Sequence, residues 1–266
     1  MKDAPKYNEI GKTYNSFRKA DPRIVQSLQD FLELPSGSTI ADIGSGTGNY
    51  SAALANIGFN VLAIEPSEVM RNQAVKHENV QWFEGIAENI PLDTSSVDGV
   101  ICTLATHHFT DLQKAFSEMS RILKKGGKNV LFISDPRQCS PENCWLMHYF
   151  KLIFEQSYQV YKPLDEITRL LTVAFGTDPH VHPFLLPPDT QDGFFISAWK
   201  HPRRYLDPVF QAGVSPLAKA PKTVIKPILQ KLQSDLDSGH WQEMFPNVAT
   251  SAEYEGGYRF VVSTKS

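Results

Sequence analysis

The sequence lacks the features that mark membrane, secreted and nucleic-acid-binding proteins. No apolar run approaches the roughly 18 residues that span a bilayer, and the N-terminus, MKDAPKYNEI, has no hydrophobic region like that of a signal peptide. The 26 Lys and Arg residues and the 29 Asp and Glu residues give a formal charge of −3, without a long run of either sign. We therefore expect a cytoplasmic protein that binds a small molecule and neither a membrane nor a nucleic acid.

Cysteine is scarce as well. Cys102, Cys139 and Cys144 cannot form a paired disulfide framework, and Cys102 lies in a predicted buried strand, so reduced thiols are the expected state. His180 and His182 alternate along one predicted strand face, but no Cys or carboxylate set lies nearby at ligand spacing. No metal site is predicted.

The sequence does contain a long stretch of alternating strand and helix patterns. With 266 residues and 41% hydrophobic content, the chain can bury one large core. Between residues 36 and 135, runs such as STIADI, NVLAIE and NVLFISD alternate with helical patterns, which predicts a parallel sheet with right-handed crossovers. A helix with Pro22 in its first turn precedes this stretch. The clearest helix within it begins after Thr110 or Asp111 and is expected to stop at residues 124–127.

A glycine-rich turn, in the stretch IADIGSGTGNY, follows the first predicted strand and opens the first helix of the sheet. Gly44, Gly46 and Gly48 let a ligand approach the backbone where a helix N-terminus offers unpaired N–H groups. A dinucleotide site would require a glycine in place of Asn49, which disfavours a nicotinamide oxidoreductase. Glu65 ends the second predicted strand, where an acid can bind the two hydroxyls of a ribose. Together these features predict a nucleoside site.

Five segments in succession resemble the motifs of class I S-adenosylmethionine-dependent methyltransferases, in the small-molecule branch that includes quinone-biosynthesis and natural-product enzymes. The segments are IADIGSGTGNY, LAIEPS, FEGIAENIPL, SVDGVICTLATHHF and EMSRILKKGG. The resemblance is strong over residues 36–135 and implies a Rossmann-like, doubly wound α/β fold. Its sheet is expected to be seven-stranded and mostly parallel, with helical lid insertions in the C-terminal half. It also implies S-adenosylmethionine as cofactor, a small-molecule methyl acceptor, and a monomer or homodimer.

We expect a single domain over residues 1–266. Residues 36–135 form its cofactor-binding core, residues 1–35 are N-terminal cap helices, and residues 136–245 hold lid and substrate-binding insertions with late strands. Structureless connections longer than about 15 residues are uncommon in compact domains, so the aromatic helices of the lid need a surface to bury against. We expect the segments CWLMHYFKLIF and GFFISAW to form the acceptor pocket, although such an aromatic stripe also fits plain core.

The resemblance also assigns binding residues. The glycine loop is expected to contact the methionine part of the cofactor, Glu65 the ribose and the GIAE segment the adenine, with Ile86 where the family often has an acid. Tyr14 and Arg18, one helical turn apart, match a tyrosine and an arginine that lie near the methionine carboxylate in relatives, although a solvated amphipathic helix with Tyr14 buried fits the segment equally. Asp42 equally fits a structural strand-end acid. The expected set is Tyr14, Arg18, Asp42, Gly44, Ser45, Gly46, Gly48, Glu65, Pro66, Gly85, Ile86, Ala87 and Leu104.

Catalysis by such an enzyme asks little of side chains, because a sulfonium is already an activated methyl donor. Alignment of the nucleophile and desolvation of the site supply much of the rate enhancement. His108 and His148 are the candidates to accept a proton from the nucleophile, although the HH-x-x-D arrangement at His107 also fits loop packing and helix capping. The predicted function is methyl transfer to O, N or C of an aromatic or lipophilic metabolite. The alternative is a non-catalytic protein that binds S-adenosylmethionine or S-adenosylhomocysteine as a sensor or assembly partner.

Overall fold

The chain folds around one seven-stranded sheet, seen in a computed structural model that describes residues 18–142 and 144–266. The strands are β1 Thr39–Ile43, β2 Asn60–Ile64, β3 Val80–Phe83, β4 Val97–Thr103, β5 Leu123–Ser134, β6 His180–Leu186 and β7 Tyr254–Thr264. Their order is β3-β2-β1-β4-β5-β7-β6. The first five strands are parallel and β7 is antiparallel to both of its neighbours. This confirms the predicted Rossmann-like, mostly parallel sheet.

Helices cover both faces of the sheet. They are α1 Pro22–Leu32, α2 Asn49–Asn56, α3 Glu68–Asn72, α4 Leu112–Ile122, α5 Trp145–Ser157, α6 Leu164–Phe175, α7 Pro208–Gly213, α8 Ser215–Lys219, α9 Lys222–Ser238, α10 His240–Met244 and α11 Pro246–Thr250. On β5, Val130 and Phe132 face the core beneath α1 and α2, whereas Leu131 and Ile133 face the core beneath α4 and α6. Because both faces are covered, the central part of β5 is apolar on both of its faces, over residues 130–133.

Helix α4 begins as predicted and ends earlier than predicted. The Asp111 carboxylate accepts a hydrogen bond from the Lys114 N–H group at 3.0 Å, which caps the first turn. The helix ends at Ile122 and not at residues 124–127, because Leu123 is already extended and pairs with Val97 of β4. The basic residues that suggested a helix end therefore lie on the first part of β5.

The late strands β6 and β7 complete the sheet on the side of β5. Strand β6 is the edge strand, which explains how Pro183 fits within it, since an edge position does not need every N–H group. His180 and His182 are both exposed there, and the His182 ring stacks on Phe31 with centroids 4.5 Å apart. Across residues 18–142 and 144–266, no group of three or more His, Cys, Asp or Glu residues could hold a metal ion.

Helix α5 and residues 187–250, here called the cap, hold most of the aromatic residues of the C-terminal half. Trp145 packs edge-on against Tyr205 and Trp241 at 5.5 and 5.3 Å between centroids. Its indole N–H group donates to the Trp199 carbonyl at 2.9 Å, and Trp199 stacks on Tyr254 of β7. These indoles are core residues of the cap. None of the described helices is long and apolar enough to cross a membrane.

Candidate functional site

The three glycines of the loop between β1 and α2 are required for different reasons. All three have positive φ angles, which favour glycine. A Cβ atom on Gly44 would lie 2.7 Å from the Ala105 Cβ, and one on Gly48 would lie 2.6 Å from the Trp82 ring. A Cβ on Gly46 would meet no described atom within 4 Å beyond its chain neighbours. With respect to the described residues, Gly46 is therefore the position at which the loop faces open space.

Glu65 lies directly beside this open position, as the sequence predicted. One of its carboxylate oxygens accepts a hydrogen bond from the Gly46 N–H group at 2.9 Å, and the other accepts one from the Ser67 N–H group at 2.8 Å. Burial raises the pKa of Glu65, and the two N–H groups and Arg71 oppose that shift. A carboxylate has about four lone-pair sites, so both oxygens can accept further hydrogen bonds from hydroxyl groups. The adjoining Pro66 is exposed.

Asp42 lies beneath the loop. Its side chain is buried and accepts a hydrogen bond from the Ser51 hydroxyl of α2 at 2.6 Å. Burial raises the pKa of Asp42 to about 7; the Ser51 hydroxyl opposes this shift and the Glu65 charge adds to it. The contact with Ser51 supports the structural alternative, in which this acid joins β1 to α2. Ser45 is partly buried in the loop above it, and its N–H group donates to the Ile64 carbonyl at 3.2 Å.

The raised pKa of Asp42 predicts a pH-dependent stability. The unfolded chain releases this proton near pH 4 and the folded chain near pH 7, so its contribution to stability falls as the pH rises through this interval. Asp42→Asn keeps an oxygen for the Ser51 hydroxyl and removes the titration. We expect the free energy of unfolding of the variant, relative to that of the wild type, to be about 2–3 kcal/mol higher at pH 8 than at pH 5. Urea unfolding at both pH values measures this gain, and a difference that stays constant with pH contradicts it.

The GIAE segment after β3 presents an apolar side chain to the surface. Ile86 is 48% exposed, Ala87 is buried, and Gly85 packs so closely that a Cβ atom would lie 2.6 Å from the Pro91 ring. Glu88 accepts hydrogen bonds from the hydroxyl of Thr110 and from the backbone just before α4. The exposed Ile86 suits the face of an adenine, whereas Glu88 holds the start of a helix.

The carboxyl end of β4 leads into a strained turn that carries two histidines. Leu104 has a φ angle of 51°, which is rare for a branched residue, and its N–H group donates to the Phe132 carbonyl at 2.7 Å. The His107 and His108 rings follow, with centroids 3.8 Å apart, and the centroids of His107 and Tyr161 are 4.6 Å apart. Such backbone strain is typical of functional turns.

His107 is the more enclosed of the two histidines, and His108 is exposed. Burial holds the pKa of His107 well below its usual range, and the nearby His108, Lys219 and Arg18 lower it further. His107 also lines a small cavity with Thr106, Ser134 and Tyr161, whose volume of about 10 Å³ has room for roughly one water molecule. The enclosed imidazole is therefore neutral at pH 7.

His148, the other predicted proton acceptor, lies in the cap. It is exposed, and its ring contacts Tyr149 and Phe245 at 5.0 and 5.7 Å between centroids. His148 belongs to α5, and its ring lies against Tyr149 of the same helix and against Phe245 at the end of α10. His108 is therefore the candidate at the carboxyl end of β4, and His148 is a candidate within the cap.

Arg18 lies over the start of α2, beside residues that the sequence did not indicate. Its guanidinium forms a two-pronged ion pair with Asp192, and its carbonyl accepts a hydrogen bond from the Asn49 side chain at 3.0 Å. The Tyr50 hydroxyl donates to the same Asp192 carboxylate at 3.0 Å. Asn49 and Tyr50 could have been inferred from their place after the loop. Nothing in the sequence pattern points to Asp192. Tyr14 lies outside the described residues.

Comparison with known proteins agrees with this geometry. A family described as "Methyltransferase domain" matches residues 41–131. An uncharacterized methyltransferase of Geobacillus sp. is 33% identical over 50% of this chain and 67% of its own length. The ubiquinone/menaquinone biosynthesis C-methyltransferase UbiE of Rubrivivax gelatinosus is 31% identical over 44% of this chain and 45% of its own length. This chain spans about half the length or less of most curated relatives that it matches.

A solved structure of higher sequence identity is similar over nearly the whole of both chains. It is described as a methyltransferase from an antibiotic biosynthesis pathway of Anabaena variabilis, and it is 44% identical with a TM-score of 0.88. The match covers 93% of this chain and 98% of that protein. The glycine loop with its adjoining acid, the sheet order and these relatives agree. The chain therefore belongs to the class I S-adenosylmethionine-dependent methyltransferases.

Proposed function

We propose that this enzyme transfers the methyl group of S-adenosylmethionine to oxygen, nitrogen or carbon of a small aromatic or lipophilic metabolite. The observation that carries the proposal is the glycine loop, where Gly46 faces open space while its N–H group binds the Glu65 carboxylate. In this proposal Glu65 holds the ribose, the exposed Ile86 packs on the adenine, and Arg18 faces the methionine carboxylate. Residues 36–135 carry the cofactor, and residues 136–245 cover it.

The surroundings of the histidine turn support an aromatic acceptor. Phe194 of the cap packs on Tyr258 of β7 with ring centroids 4.5 Å apart, and Tyr258 stacks on Phe132 of β5. This aromatic wall lies at the carboxyl edge of the sheet, and the Tyr161 ring lies against His107 with centroids 4.6 Å apart. The three rings of the wall are buried, so in this proposal they form the rigid floor beneath a flat apolar acceptor whose polar atom faces the imidazoles.

When bound, S-adenosylmethionine supplies an electrophilic methyl group. The residues of the chain then have to exclude water, align the acceptor and, for an alcohol or amine, take up one proton. Burial and neighbouring cations keep His107 neutral, so it is poorly suited to carry that proton. His108 is exposed beside it and can release a proton to water. We therefore assign proton acceptance to His108 and positioning of the acceptor to His107.

The Anabaena relative supports a place in natural-product biosynthesis. Its description names an antibiotic biosynthesis pathway, and its similarity covers 93% of this chain, including most of the cap. We propose the same kind of role for this chain. We further propose that it acts in the cytoplasm as a monomer or homodimer, on a free metabolite and without a nucleic acid or a membrane as partner.

Calorimetry and a methyl-transfer screen test the proposed function. We expect S-adenosylmethionine and S-adenosylhomocysteine to bind and NAD not to bind. We expect transfer of a labelled methyl group to at least one member of a panel of phenols, amines and activated carbon acids, at an unchanged rate in EDTA. Cofactor binding without transfer across a broad panel favours the non-catalytic alternative. A rate that collapses in EDTA and returns with Mg²⁺ contradicts metal-free transfer.

A further inference from the structure

A buried acid connects the cap to the glycine-loop helix. Asp192, in the segment that enters the cap, is 1% exposed, and its carboxylate accepts hydrogen bonds from the Arg18 guanidinium and the Tyr50 hydroxyl. We propose that Asp192 is a positioning residue that holds Arg18 against the loop for the amino-acid end of the cofactor. This inference rests on the proposed binding of S-adenosylmethionine at the loop.

The geometry of the ion pair fixes the direction of the guanidinium. Asp192 binds the Nε atom and one terminal nitrogen of Arg18, the latter at 3.1 Å, so the plane of the guanidinium is set by two parallel contacts. A buried carboxylate is stable only when such partners satisfy it. A lysine could not be oriented in this way.

The same contacts attach Arg18 to the first turn of α2. Tyr50 reaches Asp192, and the Asn49 amide donates to the Arg18 carbonyl at 3.0 Å. Asn49 is the residue that departs from the dinucleotide pattern, and here its side chain binds the segment that lies over the loop. Asn49 therefore holds the Arg18 backbone, and Asp192, which also binds Tyr50, holds its guanidinium.

The charge of Arg18 lies at the start of α2, because Asn49 binds its carbonyl and Asp192 binds its guanidinium there. After burial and His108, Lys219 and Arg18 lower the pKa of His107. A cation at that position complements the carboxylate of the methionine part, which must lie near the sulfonium.

A second set of contacts joins the same two segments farther from the loop. The Arg23 guanidinium binds Asp189 at 2.6 Å, and the Gln191 N–H group donates to the Asp21 carboxylate at 2.8 Å. The Asp189 side chain is 76% exposed. Asp189 therefore offers a matched control, because it joins the segments as Asp192 does without touching α2.

The test compares two ligands that differ only in the amino-acid end. S-Adenosylhomocysteine has it, whereas 5′-methylthioadenosine retains the nucleoside and the sulfur without it. Asp192→Asn is expected to weaken binding of S-adenosylhomocysteine by about 10-fold or more and that of 5′-methylthioadenosine by less than threefold, by calorimetry. Asp189→Asn is expected to change neither affinity by more than twofold. Glu65→Gln, at the ribose end, is expected to weaken both.

The outcomes separate the inference from its alternatives. Equal losses for both ligands in Asp192→Asn indicate a purely structural acid and overturn the inference, as does unchanged or tighter binding of S-adenosylhomocysteine. Should Asp192→Asn not fold, Tyr50→Phe removes one hydrogen bond to the same carboxylate. It is expected to weaken S-adenosylhomocysteine alone, by about threefold, and an equal effect on both ligands overturns the inference. Failure of the wild type to bind either ligand overturns the proposed function instead.

Discussion

Gly46→Ala is expected to raise the Kd of this methyltransferase for S-adenosylmethionine by about 100-fold, equivalent to about 2.7 kcal/mol. Gly46 has a φ angle of 58°, and a Cβ atom there meets no described atom beyond its chain neighbours. The added methyl group therefore projects into the space that the loop leaves for a ligand, beside the Glu65 carboxylate. Calorimetric titration measures the affinity, and thermal unfolding measures the cost of placing alanine at a positive φ angle.

Gly239→Ala is the matched control for that strain. Gly239, at the end of α9, has a φ angle of 84° and equally open space at its Cβ position. Both variants are expected to lose about 1–2 kcal/mol of stability, because both force alanine into the left-handed region. Only Gly46→Ala is expected to lose cofactor affinity. Similar affinity in the two variants would falsify the assignment of Gly46 to the cofactor site. Gly44 and Gly48 cannot be used as test or control positions, because a methyl group there clashes with Ala105 or Trp82.

Local sequence patterns predicted the part of the molecule in which neighbouring residues determine the structure. The alternating strands, the cap of α4 at Asp111 and the place of Glu65 all depend on spacing within one βαβ unit. The end of α4 depends on a longer contact. Leu123 is extended because it pairs with Val97 across the sheet. The local sequence around residue 123 does not indicate that pairing.

The cap shows why the rest could not be predicted. The density of aromatics in α5 indicated a pocket, yet the structure buries Trp145 among Tyr205 and Trp241 and uses its indole N–H group within the cap. A helix that is apolar on most sides does not reveal which side faces a ligand. Asp192 and Tyr50 are 142 positions apart, and only the folded chain brings them together.

His108→Ala is expected to lower kcat by about 100-fold for an acceptor whose nucleophile must lose a proton, with the Kd for S-adenosylmethionine unchanged within twofold. His108 is exposed beside His107, which burial and nearby cations keep neutral. Because His107 does not readily hold a charge, removal of His108 leaves the turn without an imidazole that can carry the proton. Single-turnover rates with a series of acceptors of rising pKa measure the effect.

The dependence on the acceptor distinguishes proton acceptance from simple packing. For an acceptor that is already ionised at the assay pH, the loss in His108→Ala is expected to fall below about fivefold, because no proton has to be removed. His148→Ala is expected to change kcat by less than about twofold, since that ring packs on Tyr149 and Phe245 in the cap. A loss in His108→Ala that is the same for ionised and protonated acceptors assigns the residue to packing. A loss of kcat in His148→Ala that exceeds twofold assigns proton acceptance to His148 in the cap.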